Sequence, residues 1–298
     1  MILIVEGKAF KLESADGKTV SREEVLVLAS NQEETDSRVA MYAAYGALNG
    51  YKTVRVKSPD SDVFFILLHH AHNLDTAIEF DTGTGNSKRL IDITRLANAY
   101  GPKKSTALMS LHAFTGCDTC SSFKGIGKVK PIKILEKKSE FEDFLAELGS
   151  DWILSEEVSK SLEKLTCYFY RKTRFSSLDA LRLHLLKKRC NSDGRLDPKR
   201  TVDLGSLPPC SSTLKQHLKR TNLQIGIWKR GMDNFQEIPR VEEHGWVRGD
   251  KFLEPLWCDG DVLPPEIGSL LDSLVESDSE ELEVEQDTDD FDSSEEEY

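Results

Sequence analysis

Three groups of carboxylates punctuate the first 120 residues, each where a helix or a turn begins. Glu34 and Asp36 lie in "QEETDS", at the head of a run with helical periodicity. Asp60 and Asp62 lie in "SPDSD", directly after the alternating stretch "KTVRVKS". Asp118 follows an apolar run that ends in "HAFTGCD". Hard divalent cations such as Mg2+ or Mn2+ want several carboxylate oxygens. Two such ions about 4 Å apart can hold both the attacking and the leaving oxygen of a phosphodiester. That chemistry needs clustered acids without matching lysines, and these three groups have the composition for it.

Each group also has a plainer structural reading. Ser30-x-x-Glu33 and Asn31-x-x-Glu34 both match a helix capping box. Residues two apart diverge inside a helix, so Glu34 and Asp36 can share a site only at the helix entry. Asp60-Ser61-Asp62 is a common turn composition, and it also resembles the Asp-x-Asp that holds a metal–nucleotide sugar in glycosyltransferases. The order and spacing of all three groups, together with the segment that follows them, favour the metal reading.

That segment is "SFKGIGKVKPIKIL". Gly125, Ile126 and Gly127 form a turn whose backbone N–H groups, with the next helix N-terminus, could hold a phosphate without reading sequence. Lys124, Lys128, Lys130 and Lys133 surround it. Binding through such lysines is salt-dependent, because each phosphate contact releases counterions.

The elements that must position these residues follow from pattern. Short strands fill "MILIVEGKAFKLE" and "EEVLVLA", with Asp16-Gly17 as a hairpin turn between them. Val39, Tyr42, Ala43, Gly46 and Ala47 recur at helical spacing, and Gly50 fits the left-handed position beyond the helix end. A strand "KTVRVKS", a buried element "DVFFILLHHAH", a strand "TAIEFDT" and a turn "GTGNSK" come next. After the apolar "RLIDI", two helices follow, "TRLANAYG" and "STALMSLHAF". This alternation predicts an α/β fold with a mostly parallel sheet, whose strand ends would gather the acids at one crevice.

In that order, "EETD", "SPDSD", "TGCD" and "FKGIGKVK" resemble the flap-endonuclease and XPG-type nucleases of the PIN-like superfamily. The wider pattern, with "LPPCSSTLKQHLKR" and "GW…PLW", looks like a set of animal proteins with the same nuclease-like core. The resemblance runs from about Asn31 to Leu135 and covers the C-terminal half of the family's domain. It implies that Glu34, Asp36, Asp60, Asp62 and Asp118 hold Mg2+ or Mn2+ in a two-metal site. It also implies that Gly125, Ile126, Gly127 and the neighbouring lysines clamp duplex backbone in a helix–turn–helix. The family's first strand, ending in Asp, and its arch have no equivalent here. The first part of the catalytic domain is therefore expected to be missing and the metal site to be short of a ligand, and the second acid of the first pair is Asp36 rather than Glu.

The expected organisation is a truncated PIN-like domain over 1–145, with its clamp at about 110–145. A helical extension over 146–190, a linker over 191–212 and a helical, tryptophan-containing segment over 213–275 follow. The last region is a disordered acidic tail over 276–298. Leu214, Leu218, Ile225 and Trp228 lie on or near one face of a helix in "STLKQHLKRTNLQIGIWKR". A basic run from Arg171 to Arg200 reads as a solvated helix face or as phosphate contacts. The tryptophans read as packing residues, and His69, His70 and His72 as structural or surface groups.

Charge separates the tail from the body. The net charge of −12 is concentrated in residues 276–298, which hold 13 acids and no Lys or Arg; the rest has 38 acids against 39 bases. The tail repels itself, suits acid-directed kinases at Ser277, Ser293 and Ser294, and could bind a basic protein partner. No apolar run approaches the roughly 20 residues of a membrane span, and the N-terminus lacks a secretory signal pattern. Six cysteines without such a signal suggest reduced thiols in an intracellular protein, in the nucleus ahead of the cytoplasm. Cys117-x-x-Cys120 lacks the second ligand pair that a zinc site would want. Two functions follow. One is a metal-dependent, structure-specific phosphodiesterase acting on DNA, with RNA second. The other is a catalytically inactive nucleic-acid-binding or scaffold protein derived from the same fold.

Overall fold

A computed structural model describes residues 2–5, 8–170, 174–188 and 204–260. The chain opens with an antiparallel meander, β1 (Ile2–Val5), β2 (Lys8–Glu13) and β3 (Ser21–Glu24). The β2–β3 connection turns at Asp16-Gly17, with Gly17 at φ +69°. The Asp16 carboxylate accepts from the Lys18 and Thr19 N–H groups at 2.8 and 2.7 Å, which draws its pKa down to about 2. Ala9, Leu28 and Met41 form a small separate core that ties the meander to α1 (Thr35–Leu48).

A β–α–β unit follows. β4 (Thr53–Lys57) leads through α2 (Ser61–His70) to β5 (Ala77–Thr82), which pairs parallel to β4. Ile78 and Phe80 face the core, while Arg55 and Glu79 stand opposite each other on the outer face as an ion pair at 2.7 Å. β6 (Arg89–Asp92) then joins β5 antiparallel. The sheet is therefore mixed, in the order β4-β5-β6, rather than mostly parallel. The physical reason is the short connection: "GTGNSK" spans too few residues for the crossover that a parallel neighbour requires.

The helical layer begins with α3 (Ile93–Phe114), which breaks at Gly101, φ +78°, ahead of Pro102. The proline lacks an N–H, so the chain restarts as a second helical segment there. α4 (Val129–Lys137) and α5 (Glu142–Glu147) pack against α3, α6 (Glu156–Phe169) packs on α4 and α5, and α7 (Leu178–Lys187) packs on α6. α8 (Ser211–Lys229) and a small hairpin of β7 (Trp246–Arg248) and β8 (Leu253–Pro255) complete the described chain.

One apolar core joins α1 to α8; it includes Ala40, Ile66, Phe114, Leu145, Phe169 and Trp228. Leu214, Leu218, Ile225 and Trp228 are buried as the periodicity implies. The helix carrying them is not simply amphipathic, because Gln216, His217, Arg220, Thr221, Asn222 and Gln224 are buried too. Each such polar group needs a partner in the interior. Arg220 finds the Gly245 and Leu256 carbonyls, Asn222 the Asp151 and Trp152 carbonyls, and Gln224 the Glu34 carboxylate. α8 is thus the hydrogen-bonding spine of the molecule. No helix of the described residues is long and apolar enough to cross a membrane. The acidic tail, most of the 191–212 linker and both ends of the 171–200 basic run lie outside the described residues.

Candidate functional site

Two helix entries and one loop supply the acids. Glu34 is the residue before α1, and Asp36 lies in its first turn. The capping-box geometry is not used, since Glu34 makes no side-chain cap bond. Its carboxylate turns away and accepts from Gln224 Nε2 at 3.0 Å. The Trp228 indole N–H stands beside it and lowers its pKa without closing into a regular hydrogen bond. Asp60 caps α2, its Oδ1 accepting from the Asp62 N–H at 2.8 Å. Asp62, in the first turn of α2, is buried. Its Oδ1 bonds His112 Nε2 at 2.7 Å.

Asp118 comes from the loop after α3. Gly116 makes that loop possible: its φ is +117°, and a side chain there would meet Ser122 Cβ at 2.8 Å. The Cys117 and Cys120 backbones exchange N–H···O bonds of 3.0 and 3.2 Å, and Asp118 is presented to solvent at the bend.

These segments converge electrostatically. Burial raises the pKa of Asp36, and Asp60, Asp62 and Asp118 raise it further. Burial likewise raises Glu34, with Asp36 and Asp62 adding to the effect against the Gln224 hydrogen bond. All five acids therefore belong to one field, two pairs of them at helix N-termini, where the helix dipole favours negative charge. A basic side chain, His112, is bonded to one of them, Asp62. The donor set is oxygen-only, strongly anionic and hard, which fits Mg2+ or Mn2+. As the side chains are placed, however, no three His, Cys, Asp or Glu groups among the described residues stand close enough to hold an ion directly.

His112 escaped the sequence reading. It lies on the buried face of α3, four residues after Leu108 and seven after Ser105, and stacks on Phe65 at 4.3 Å. Its Nδ1 is buried without a partner. Its Nε2–H donates to Asp62. It positions Asp62 much as outer groups orient metal-binding carboxylates. The available signal was a histidine on an apolar helical stripe, which must find a polar partner when buried.

The glycine–lysine segment is differently used from what its composition suggests. Gly125, at φ +73°, allows a turn in which the Ile126 N–H bonds the Phe123 carbonyl at 3.0 Å. That N–H is spent internally, while Gly127 has open space around it. Lys128 turns inward; its Nζ donates to the carbonyls of His112, at 2.5 Å, and Gly116. It caps the C-terminus of α3, and burial lowers its pKa. Lys124 and Lys133 are exposed and Lys130 is half-buried. The cationic surface of this segment thus rests on three of its four lysines.

Fold and site together define a mixed α/β protein with carboxylates at two helix entries and on the loop after α3. No protein-family model, curated protein or solved structure matches the chain.

Proposed function

We propose that the chain is a metal-dependent, structure-specific nuclease-like protein acting on DNA, with a partial PIN-like catalytic domain of the flap-endonuclease type. One observation carries this reading: Asp36 feels the carboxylates of Asp60, Asp62 and Asp118, so acids from three distant segments share one field. Glu34, Asp36, Asp60, Asp62 and Asp118 would hold Mg2+ or Mn2+, partly through waters that such ions retain. The bound ions would neutralise charge on the phosphodiester and lower the pKa of an attacking water. His112 keeps Asp62 aimed, and Gln224 holds the Glu34 carboxylate in place. Lys124, Lys130 and Lys133 would meet duplex phosphates, and the acidic tail would compete for that surface or take a basic partner. A nuclear location goes with this substrate.

The test is cleavage of flap, hairpin and linear DNA, and of matching RNA, with Mg2+ or Mn2+. The chain is expected to cut DNA, and Asp60→Asn to lose the activity while keeping the fold. A second reading, an inactive nucleic-acid-binding scaffold, is favoured by the lack of a directly ion-enclosing group among the described residues. No cutting with salt-sensitive binding retained would select it; neither cutting nor binding would reject both.

A further inference from the structure

Far from the acids, two thiols from opposite ends of the C-terminal region meet. Cys210 Sγ and Cys258 Sγ lie 3.9 Å apart, although 48 residues separate them. Cys210 is the residue before α8 and is buried, its sulfur accepting from the Thr213 N–H at 3.4 Å. Cys258 follows β8 and is half-buried. The backbones are already in register beside them. Ser212 Oγ accepts from the Asp259 N–H at 2.9 Å and donates to the Asp259 carbonyl at 2.7 Å. Since a disulfide requires sulfurs about 2.05 Å apart and tolerates little backbone movement, this fixed register matters more than the gap that remains.

We propose that Cys210 and Cys258 form a reversible disulfide that staples the β7–β8 hairpin to the start of α8. The oxidant is a low-molecular-weight disulfide such as oxidised glutathione. Cys258, the more accessible thiol, attacks it as the thiolate, releasing one glutathione thiol and forming a mixed disulfide. Cys210 then attacks the Cys258 sulfur, the protein disulfide forms, and the second glutathione thiol leaves. The two protons lost by the protein thiols end on the two leaving glutathione sulfurs, so one glutathione disulfide is reduced to two thiols with no net proton released. Reduction by a dithiol reverses both steps.

The bond would have a local consequence. Trp257, next to Cys258, packs against the Arg220 guanidinium at 5.6 Å and lines a cavity of about 260 Å³ with Pro208, Pro209, Leu214 and His217. Closing the staple fixes that wall.

The experiment equilibrates the full chain with defined ratios of reduced and oxidised glutathione, blocks free thiols, and maps the peptides by mass spectrometry. A Cys210–Cys258 crosslinked peptide is expected, with a melting temperature about 5 °C above the reduced chain, because the bond closes a long loop. Cys210→Ser keeps an N-cap hydroxyl, which is at least as good a cap, and should fold normally while losing the shift. Cys258→Ser should behave the same way, and a Cys117→Ser, Cys120→Ser double variant should retain the shift. Only glutathione adducts, a different crosslink at Cys258, or a shift that survives Cys210→Ser would overturn the proposal.

Discussion

Acidification from pH 6.5 toward 4 is expected to unfold the protein, at a cost of about 3 kcal/mol per pH unit from His69 and His217 together. The geometry explains why. The His217 Nε2–H donates to the Phe114 carbonyl at 2.8 Å, and its Nδ1 is buried without a partner. The Thr106 hydroxyl donates to the Pro102 carbonyl, so it can only accept from His69 Nδ1–H at 2.8 Å. Both rings are held neutral. Burial, with like-charged neighbours adding, draws His69 down to about 3; burial, against the Phe114 hydrogen bond and with Arg220 adding, draws His217 down to about 4. His70, bonded to the Trp228 carbonyl, is lowered in the same sense.

The sign follows directly. Below the ordinary histidine value near 6.5 the unfolded chain takes up protons that the folded chain refuses, so stability present above that value is lost as pH falls. Glu34 and Asp36 act oppositely, because their raised values let the folded chain bind protons first; they offset part of the loss just above the ordinary carboxylate range. Urea midpoints measured from pH 7.5 to 4.5 check this. His217→Gln, which retains a side-chain N–H donor, should flatten the profile, and an unchanged slope would contradict the assignment.

Gly149→Ala is expected to destabilise the fold by about 3 kcal/mol or more, from left-handed backbone strain plus overpacking. Gly149 sits at φ +72°, and a Cβ there would lie 2.4 Å from the Gly226 backbone nitrogen. The loop cannot retreat. The Gly149 N–H bonds Asn222 Oδ1 at 2.8 Å, and its carbonyl accepts from Arg230 at 3.0 Å. Asn222 also holds the Asp151 and Trp152 carbonyls, each at 2.9 Å. Gly50→Ala is the control: φ is a similar +77°, but nothing lies within 4 Å of the added carbon. That variant should lose only the backbone term, about 1 kcal/mol. Equal losses in the two variants would show that the α8–loop contact is not tight.

The contrast between these two glycines bears on how much the sequence reveals. Gly50 was legible, because a glycine after a helical run has a local explanation. Gly149 was not, since its requirement comes from a helix more than 70 residues away. The same division runs through the site. Asp16-Gly17, the helix entries at Glu34 and Asp60, and the two-part helix around Gly101 all follow from neighbours in sequence. The antiparallel return of β6 followed only from a connection length that the strand pattern did not weigh.

The bonds that aim the site are long-range. Asn31 and Gln236 exchange two hydrogen bonds of 2.9 Å, and Gln32 donates to the Gly231 and Asp233 carbonyls, so the entry of α1 is docked on the exit of α8. The Asp62–His112 pair and the Lys128 cap are of the same kind. Composition advertised Lys128 as a surface cation, yet two carbonyls at the end of α3 claim it. The acids themselves were legible as types and spacings. Their convergence is a property of the packed helices, and above all of α8, whose polar residues no amphipathic pattern distinguishes from a solvated face.

Calorimetric titration of Mn2+ into the chain at low ionic strength tests the central claim most directly, with Asp36→Asn and Asp118→Asn run alongside. If acids from three segments form one cation site, the unmodified chain binds ions saturably. Each substitution then weakens binding by about tenfold or more, although residues 36 and 118 lie on different elements. No saturable binding, or binding that Asp118→Asn leaves untouched, would mean that these carboxylates share a field but not an ion.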